Sequence, residues 1–428
     1  MEFKTLQELC TEIIDCPHTT PEWKTEGIPV IRNYNLQNGF IDKSKLSFVD
    51  NDTYLQRIKR GMPQVDDIIF SREAPVGSVA IMPSNFRCCL GQRLVLLKVN
   101  KSICDPHYLL YVMLSNFVKK QYKTVEKTGS IVSNFNIGDL KNLVIPYVDI
   151  EIQKEIGKMC GRLDRKIEVN NRTIENLESM AKTLYDYWFV QFDFPDANGR
   201  PYKISGGKME WNETLSREIP AGWEVSTIGR HVEVDRGISY SSADLEGEGI
   251  PMVNLNSFNT DASYKVEGLK TYSGKYAKDK VIKPYDLMIC TTQQTAIDLT
   301  GQTNIIGKAM ILPDCFEGRE VVASMDLVRL HCDDIYGKYY LRLLLAKDYF
   351  HKYVTGYAIG TKIKHLHLDG LLNYYCEVPP NSLLQSFNKK MQDIEMKKSE
   401  IINENQRLCY LRDFLLPMLM NGQVTFRQ

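Results

Sequence analysis

The sequence predicts an α/β (α+β) protein built from two similar globular modules joined by two long helices that pair with each other. Three observations predict it: a heptad-patterned stretch in the middle of the chain, a second near its end, and a duplication of what precedes each. In the first stretch, Ile152 to Trp188, Ile156, Leu163, Asn170, Leu177 and Leu184 recur every seven residues. Cys160, Ile167, Ile174, Ala181 and Trp188 interleave with them, so the two sets read as the d and a positions of a coiled coil. A helix with so narrow an apolar seam cannot bury it alone and needs a partner helix.

That partner lies in the same chain. Between Phe387 and Leu415 the d-type positions are Phe387, Ile394, Ile401, Leu408 and Leu415, each 231 residues after its counterpart. The interleaved Met391, Lys398, Asn405 and Arg412 are more polar, which favours one chosen register over a generic coil.

The globular parts repeat as well. Gly27-Ile-Pro-Val30 answers Gly249-Ile-Pro-Met252 at a shift of 222, and Asp67-Ile-Ile-Phe70 answers Asp286-Leu-Met-Ile289 at 219. Gly77 to Pro83 then answers Gly307 to Pro313 at 230, so the second module carries eleven extra residues around Gln293 to Ile305. The resulting division is a module over 1–150, a helix over 151–190, a connector over 191–221, a second module over 222–380 and a final helix over 381–428. Trp211, with Trp188 and Trp223, is expected to pin the connector against the helix pair.

Within the first module Ile28–Ile31, Asp67–Phe70, Val79–Met82 and Leu94–Val99 read as short buried strands separated by turn formers. Tyr108–Val118 reads as a helix, and Leu143–Pro146 as the last strand before the long helix. The second module follows the same order, with a denser mixture of basic and aromatic residues from Lys270 to Tyr285.

Composition narrows the function classes. Apolar residues at 43% and charged residues at 25% are those of an ordinary globular protein. No apolar run reaches membrane-spanning length and no signal-like start is present, so a cytoplasmic protein is expected. Eleven scattered cysteines without a CxxC pair point to reduced, buried thiols rather than a disulfide framework. A net charge of zero argues against bulk attraction to nucleic acid, although basic faces balanced by acidic helices remain compatible with it.

Catalytic motifs are missing. Gly356-Tyr-Ala-Ile-Gly360-Thr-Lys362 lacks the phosphate-loop spacing, and no glycine fingerprint for a dinucleotide or methyl donor occurs. His365 and His367 lack suitably placed cysteines for a zinc site. No aromatic-Pro-Pro tetrapeptide of the kind that holds a flipped adenine is present. No catalytic or metal-binding residue is therefore assigned.

The order of elements and several runs resemble the specificity subunits of type I restriction-modification systems. The runs are Ile13-Ile-Asp15-Cys-Pro-His-Thr-Thr-Pro-Glu-Trp23, the two Gly-Ile-Pro starts, Trp188-Phe-Val-Gln-Phe-Asp-Phe-Pro195, Gly199-Arg-Pro-Tyr202 and Glu218-Ile-Pro-Ala-Gly-Trp-Glu224. The resemblance covers the whole chain. It implies two target recognition domains, an antiparallel coiled coil and a pseudo-twofold internal repeat, with no active site in this chain. It also implies double-stranded DNA and two modification (methyltransferase) subunits as partners, together with restriction (motor-nuclease) subunits. The cofactors it implies belong to those partners: S-adenosylmethionine for adenine-N6 methylation, and ATP with Mg2+ for translocation and cleavage.

Physically, two modules on a stiff rod would each read a few base pairs through a major groove, giving an asymmetric bipartite site. A helix of about 37 residues spans on the order of 55 Å, enough for half-sites one helical turn, about 34 Å, apart. Base contacts are expected from Arg, Lys, Asn and Gln, and phosphate contacts from Lys, Ser and Thr, on loops and strand ends near glycine. In the first module that rule selects Arg32, Asn33, Tyr34, Ser71, Arg72, Arg93, Lys127 and Ser130. In the second it selects Asn254, Asn256, Thr291, Gln293, Gln294, Lys308, Thr361, Lys362 and Lys364. The inserted Gln293–Ile305 loop, which the first module lacks, is the best single candidate for specificity. Two other readings compete: an enzyme acting alone, which should methylate or cut DNA unaided, and a coiled-coil adaptor that binds only protein.

Overall fold

The structure, a computed structural model, describes residues 2–73, 75–126, 135–294, 304–332, 337–361 and 363–424. The chain divides into two compact units. Unit 1 comprises Met1–Glu168 with Gln406–Gln428, and unit 2 comprises Val169–Asn405. The boundaries fall inside the two long helices, so each unit owns its share of both.

In unit 1 the opening strand Glu2–Thr5 pairs antiparallel with Val144–Tyr147, which leads directly into the central helix. Thr5 and Glu8 form a reciprocal capping box that starts the short helix Leu6–Leu9. A four-stranded antiparallel sheet follows in the order Cys10–Asp15, Leu94–Val99, Ile68–Ser71, Val79–Ile81. Leu94–Val99 reads LVLLKV because it lies between two neighbours with nearly every side chain buried. A second sheet sets Ile28–Ile31 antiparallel to Ser47–Val49 and parallel to Cys89–Leu90.

Unit 2 repeats this wiring. Glu224–Thr227 pairs with Tyr375–Val378, and the four-stranded sheet runs Val232–Arg236, Leu327–Cys332, Leu287–Cys290, Ala309–Ile311. Ile250–Val253 is antiparallel to Lys270–Tyr272 and parallel to Val321–Ala323, the same mixed pairing as its counterpart. A small additional sheet joins Thr292–Gln294, Ile363–Leu366 and Ala358–Ile359.

The central helix runs from Ile150 to Tyr185 and the C-terminal helix from Asn381 to Met420. Within unit 2 they pair antiparallel: Asn170 Nδ2 donates to Asn405 Oδ1 at 2.8 Å, Glu178 meets Lys398 at 2.9 Å, and Trp188 packs on Phe387 with ring centres 5.6 Å apart. Within unit 1, Asp164 pairs with Arg412 at 2.8 Å, and Ile156 and Cys160 share a core with Leu416 and Leu419. Of the ten predicted seam residues, Ile156, Asn170, Phe387 and Ile401 are buried; Leu163, Leu177, Leu184, Ile394, Leu408 and Leu415 are half-buried. Asp164, Glu395 and Ser399 are buried too, so the seam is wider and more polar than the heptads alone imply.

Two expectations need correction. The helix predicted over Tyr108–Val118 is two helices, Pro106–Leu114 and Asn116–Glu126. Ser115 turns to an extended conformation between them, and its hydroxyl donates to the Val112 carbonyl at 2.6 Å. Trp211 does not pin the connector, being 59% exposed on the strand Met209–Asn212. That role falls to Trp223, which packs against Phe192 and Phe194, with Phe194 stacked in turn on Tyr202. The central helix ends in a wide π turn over Asp186–Val190 that buries Trp188 and Phe189 together, and the Trp188 ring packs on Phe189 and Phe387.

All eleven cysteines are thiols outside any disulfide, most of them buried. Among the described residues no helix is long and apolar enough to cross a membrane.

Candidate nucleic-acid interface

The backbone turn after Ile28–Ile31 carries the first cluster of candidates. Asn33–Asn35 forms a single 3-10 turn, and the buried Asn35 holds it: its Oδ1 accepts the Arg32 N–H at 2.9 Å while its Nδ2 donates to the Asp42 and Lys45 carbonyls, each at 3.0 Å. Arg32 and Asn33 are half-buried and Tyr34 is exposed. The Arg32 guanidinium lies over two rings, 5.1 Å from the centre of Trp23 and 4.9 Å from that of Tyr34. The Tyr34 hydroxyl shares a 3.2 Å hydrogen bond with Ser47.

Other first-module candidates serve the fold. Ser71 is buried and its hydroxyl donates to the Glu73 carbonyl at 2.8 Å, closing the turn after its strand. Arg72 is buried against Asp15 at 2.8 Å, and Asp15 also meets His18 at 2.9 Å, so this arginine fixes the Asp15–Pro21 segment. Neither is offered to a groove. Arg93 is exposed and pairs with Glu73 at 3.1 Å. Lys127 and Ser130 lie outside the described residues.

In unit 2 the equivalent turn is Leu255–Ser257. Asn254 is buried, donating to the carbonyls of Gly268 at 2.7 Å and Met252 at 3.3 Å and accepting the Asn256 N–H at 2.9 Å. It is a structural residue, whereas Asn256 is exposed. Thr291 is likewise buried, donating to the Asp326 carbonyl at 2.9 Å. Gln293 is buried and accepts the Ile305 N–H at 2.9 Å, clamping the base of the inserted loop. These three bond inward because each closes a turn beside buried strands, which the sequence rule for exposed loop ends could not separate from display.

Gln294 ends the Thr292–Gln294 strand opposite Ile363, and Lys364 lies half-buried opposite Gln293 on the neighbouring strand. Lys308 is half-buried with its ammonium on the Thr260 carbonyl; burial pulls it below the usual lysine range. Thr361 is exposed. Lys362 and residues 295–303 of the inserted loop lie outside the described residues.

Sequence reasoning missed Trp23 as a partner of Arg32, since no periodicity links residues nine apart across a loop. It also missed two buried ionic clusters. In unit 1 Asp164 accepts from Tyr111 at 2.7 Å and from Arg412 at 2.8 Å. In unit 2 Glu178 meets Arg342 and Lys398, and Lys398 also meets Glu395 at 2.9 Å. Burial pushes the Glu178 carboxyl up, but the Arg342 and Lys398 charges outweigh it and hold the group at about 2. Among the described residues no group of three His, Cys, Asp or Glu could hold a metal ion.

Residues 1–179 match the family model described as the type I restriction modification DNA specificity domain. Over most of its length the chain is similar to type I restriction enzyme specificity subunits. The chain is 26% identical over 362 residues to the type I restriction enzyme MjaIX specificity subunit of Methanocaldococcus jannaschii, covering 83% of this chain and 77% of the relative. It is 21% identical over 424 residues to the HindI specificity subunit of Haemophilus influenzae, covering 86% and 87%. The fold is similar to that of the crystal structure of the type-I restriction-modification system S subunit from M. genitalium, with a TM-score of 0.50 at 16% identity over 98% of this chain and 95% of that one.

Proposed function

We propose that the chain is the non-catalytic DNA-recognition subunit of a type I restriction-modification complex, each unit reading one half of an asymmetric bipartite site. One observation carries this reading beyond the family match: two units share one strand order and one mixed pairing while presenting different side chains at equivalent turns. A duplicated scaffold with divergent loops suits two half-sites of different sequence. The paired helices set the gap between half-sites and offer two equivalent surfaces to two modification subunits. S-adenosylmethionine then belongs to those subunits, and ATP with Mg2+ to the restriction subunits. The complex works in the cytoplasm, on genomic and incoming DNA.

Sequencing of genomic N6-methyladenine in cells with and without the gene tests the proposal. A single bipartite, asymmetric motif methylated only when the gene is present is expected. Methylation that does not depend on the gene, or depends on it at an undivided site, would contradict it.

A further inference from the structure

We propose that Arg32 is the guanine-reading residue of unit 1, held in reading position by Trp23 and Tyr34. This rests on the DNA-recognition reading above and deepens it to one base and one side chain.

Residues 1–150 contain six arginines, and five have their donors engaged. Arg57 donates to the carbonyls of Leu90, Thr19 and Pro17, and Arg60 to that of Asp15. Arg72 binds the Asp15 carboxylate, Arg87 the Asn51 side chain and Arg93 the Glu73 carboxylate. Arg32 is the exception: among the described residues its guanidinium has no hydrogen-bond or ion-pair partner, and only its backbone is engaged, its N–H by the Asn35 side chain and its carbonyl by the Asn35 N–H. It is nonetheless packed on two rings, which are themselves 39% and 42% exposed.

A guanidinium packed on two rings and bonded to no acceptor keeps its in-plane N–H edge unused. That edge is the part that matches guanine O6 and N7 in a bidentate pair, the commonest specific arginine contact in the major groove. Stacking also removes much of the rotamer freedom that a long side chain would otherwise lose on binding. The mounting is firm. The Arg32 N–H is fixed by the fully buried Asn35, and Gly91 leaves space beside the side chain, since a Cβ there would lie 3.3 Å from the Arg32 Cγ.

The test uses the full chain in its methylating complex, with methylated motifs mapped for wild type, Arg32→Lys, Arg32→Gln, Trp23→Leu and Tyr34→Leu. The half-site belonging to unit 1 is the one that changes when residues 1–150 are exchanged for those of a relative. That half should contain a fixed G·C pair, and Arg32→Lys should relax it, with discrimination at that pair falling roughly 10- to 100-fold. Both leucine variants should relax the same position more weakly. The half-site of unit 2 should stay intact in every variant, which also reports that the subunit has folded. Uniformly slower methylation with every base preference kept would make Arg32 a phosphate contact and overturn the proposal. An unchanged motif and rate would overturn it as well. A wild-type complex with no bipartite motif would instead overturn the underlying DNA-recognition reading.

Discussion

Arg32 in unit 1 and Asn254 in unit 2 stand at the same place in two copies of one fold. Each follows the strand opened by a Gly-Ile-Pro run, and each is capped three residues on, Arg32 by the Asn35 side chain at 2.9 Å and Asn254 by the Ser257 hydroxyl at 3.1 Å. In each, the residue three on returns its own N–H to the capped residue's carbonyl at 2.9 Å. The backbone is therefore conserved between the copies while the chemistry is exchanged. In unit 1 the inward-bonding amide is Asn35, which leaves Arg32 to pack over Trp23 and Tyr34. In unit 2 the inward-bonding amide is Asn254 itself, and position 256, the counterpart of Tyr34, carries an exposed asparagine. A duplicated reader can change what it presents by moving its structural amide along the turn, without altering the strand order beneath.

The buried ionic clusters extend the comparison and give the largest expected effects. Glu178→Ala leaves the buried Arg342 and the half-buried Lys398 without their shared carboxylate, and should destabilise unit 2 by about 3–5 kcal/mol in urea unfolding. Asp164→Ala should cost less, because Asp164 satisfies one cation and one tyrosine hydroxyl rather than two cations. Equal losses would show that the clusters are energetically alike. The Glu178 cluster also makes unit 2 acid-sensitive. The carboxyl is held below its ordinary value of 4.5, at about 2, so its contribution is complete above pH 4.5 and is lost as pH falls towards 2. Unfolding measured from pH 6 to pH 2 should therefore weaken more steeply in the wild type than in Glu178→Gln, and parallel curves would contradict the assigned role.

Smaller effects separate structure from display at the equivalent turns. Asn254→Ala orphans two carbonyls and an N–H, and should lower stability by about 1–3 kcal/mol. Arg32→Ala removes no hydrogen bond of the side chain, and thermal unfolding should shift by no more than about 0.5 kcal/mol. A large stability loss in Arg32→Ala would make it a structural residue like Asn254, and the contrast between the units would vanish.

Much of this arrangement was legible in the sequence. Heptad spacing located both helices, and self-similarity showed that one strand order occurs twice, because periodicity and burial leave residue-level traces. The strands Ile28–Ile31 and Leu94–Val99 were readable for the same reason, as apolar runs between turn formers. Side-chain direction was not readable. Ser71, Arg72, Asn254, Thr291 and Gln293 have the polarity and loop-end position of DNA-contacting groups, yet each closes a turn or fixes a neighbouring segment through partners distant in sequence or across a strand end. Polarity marks both kinds of residue alike, and only tertiary contacts separate them. Trp211 failed similarly: an aromatic in a turn-rich connector can cover the core or face solvent, and the neighbouring Phe194, Tyr202 and Trp223 had already filled the core.

The central claim is that one fold, written twice, reads two half-sites independently. Its most direct test is exchange of residues 1–150 for those of a relative with a different motif, followed by mapping of N6-methyladenine across the genome. One half of the bipartite motif should change to that of the donor while the other half stays as it was. A change in both halves, or in neither, would contradict the account.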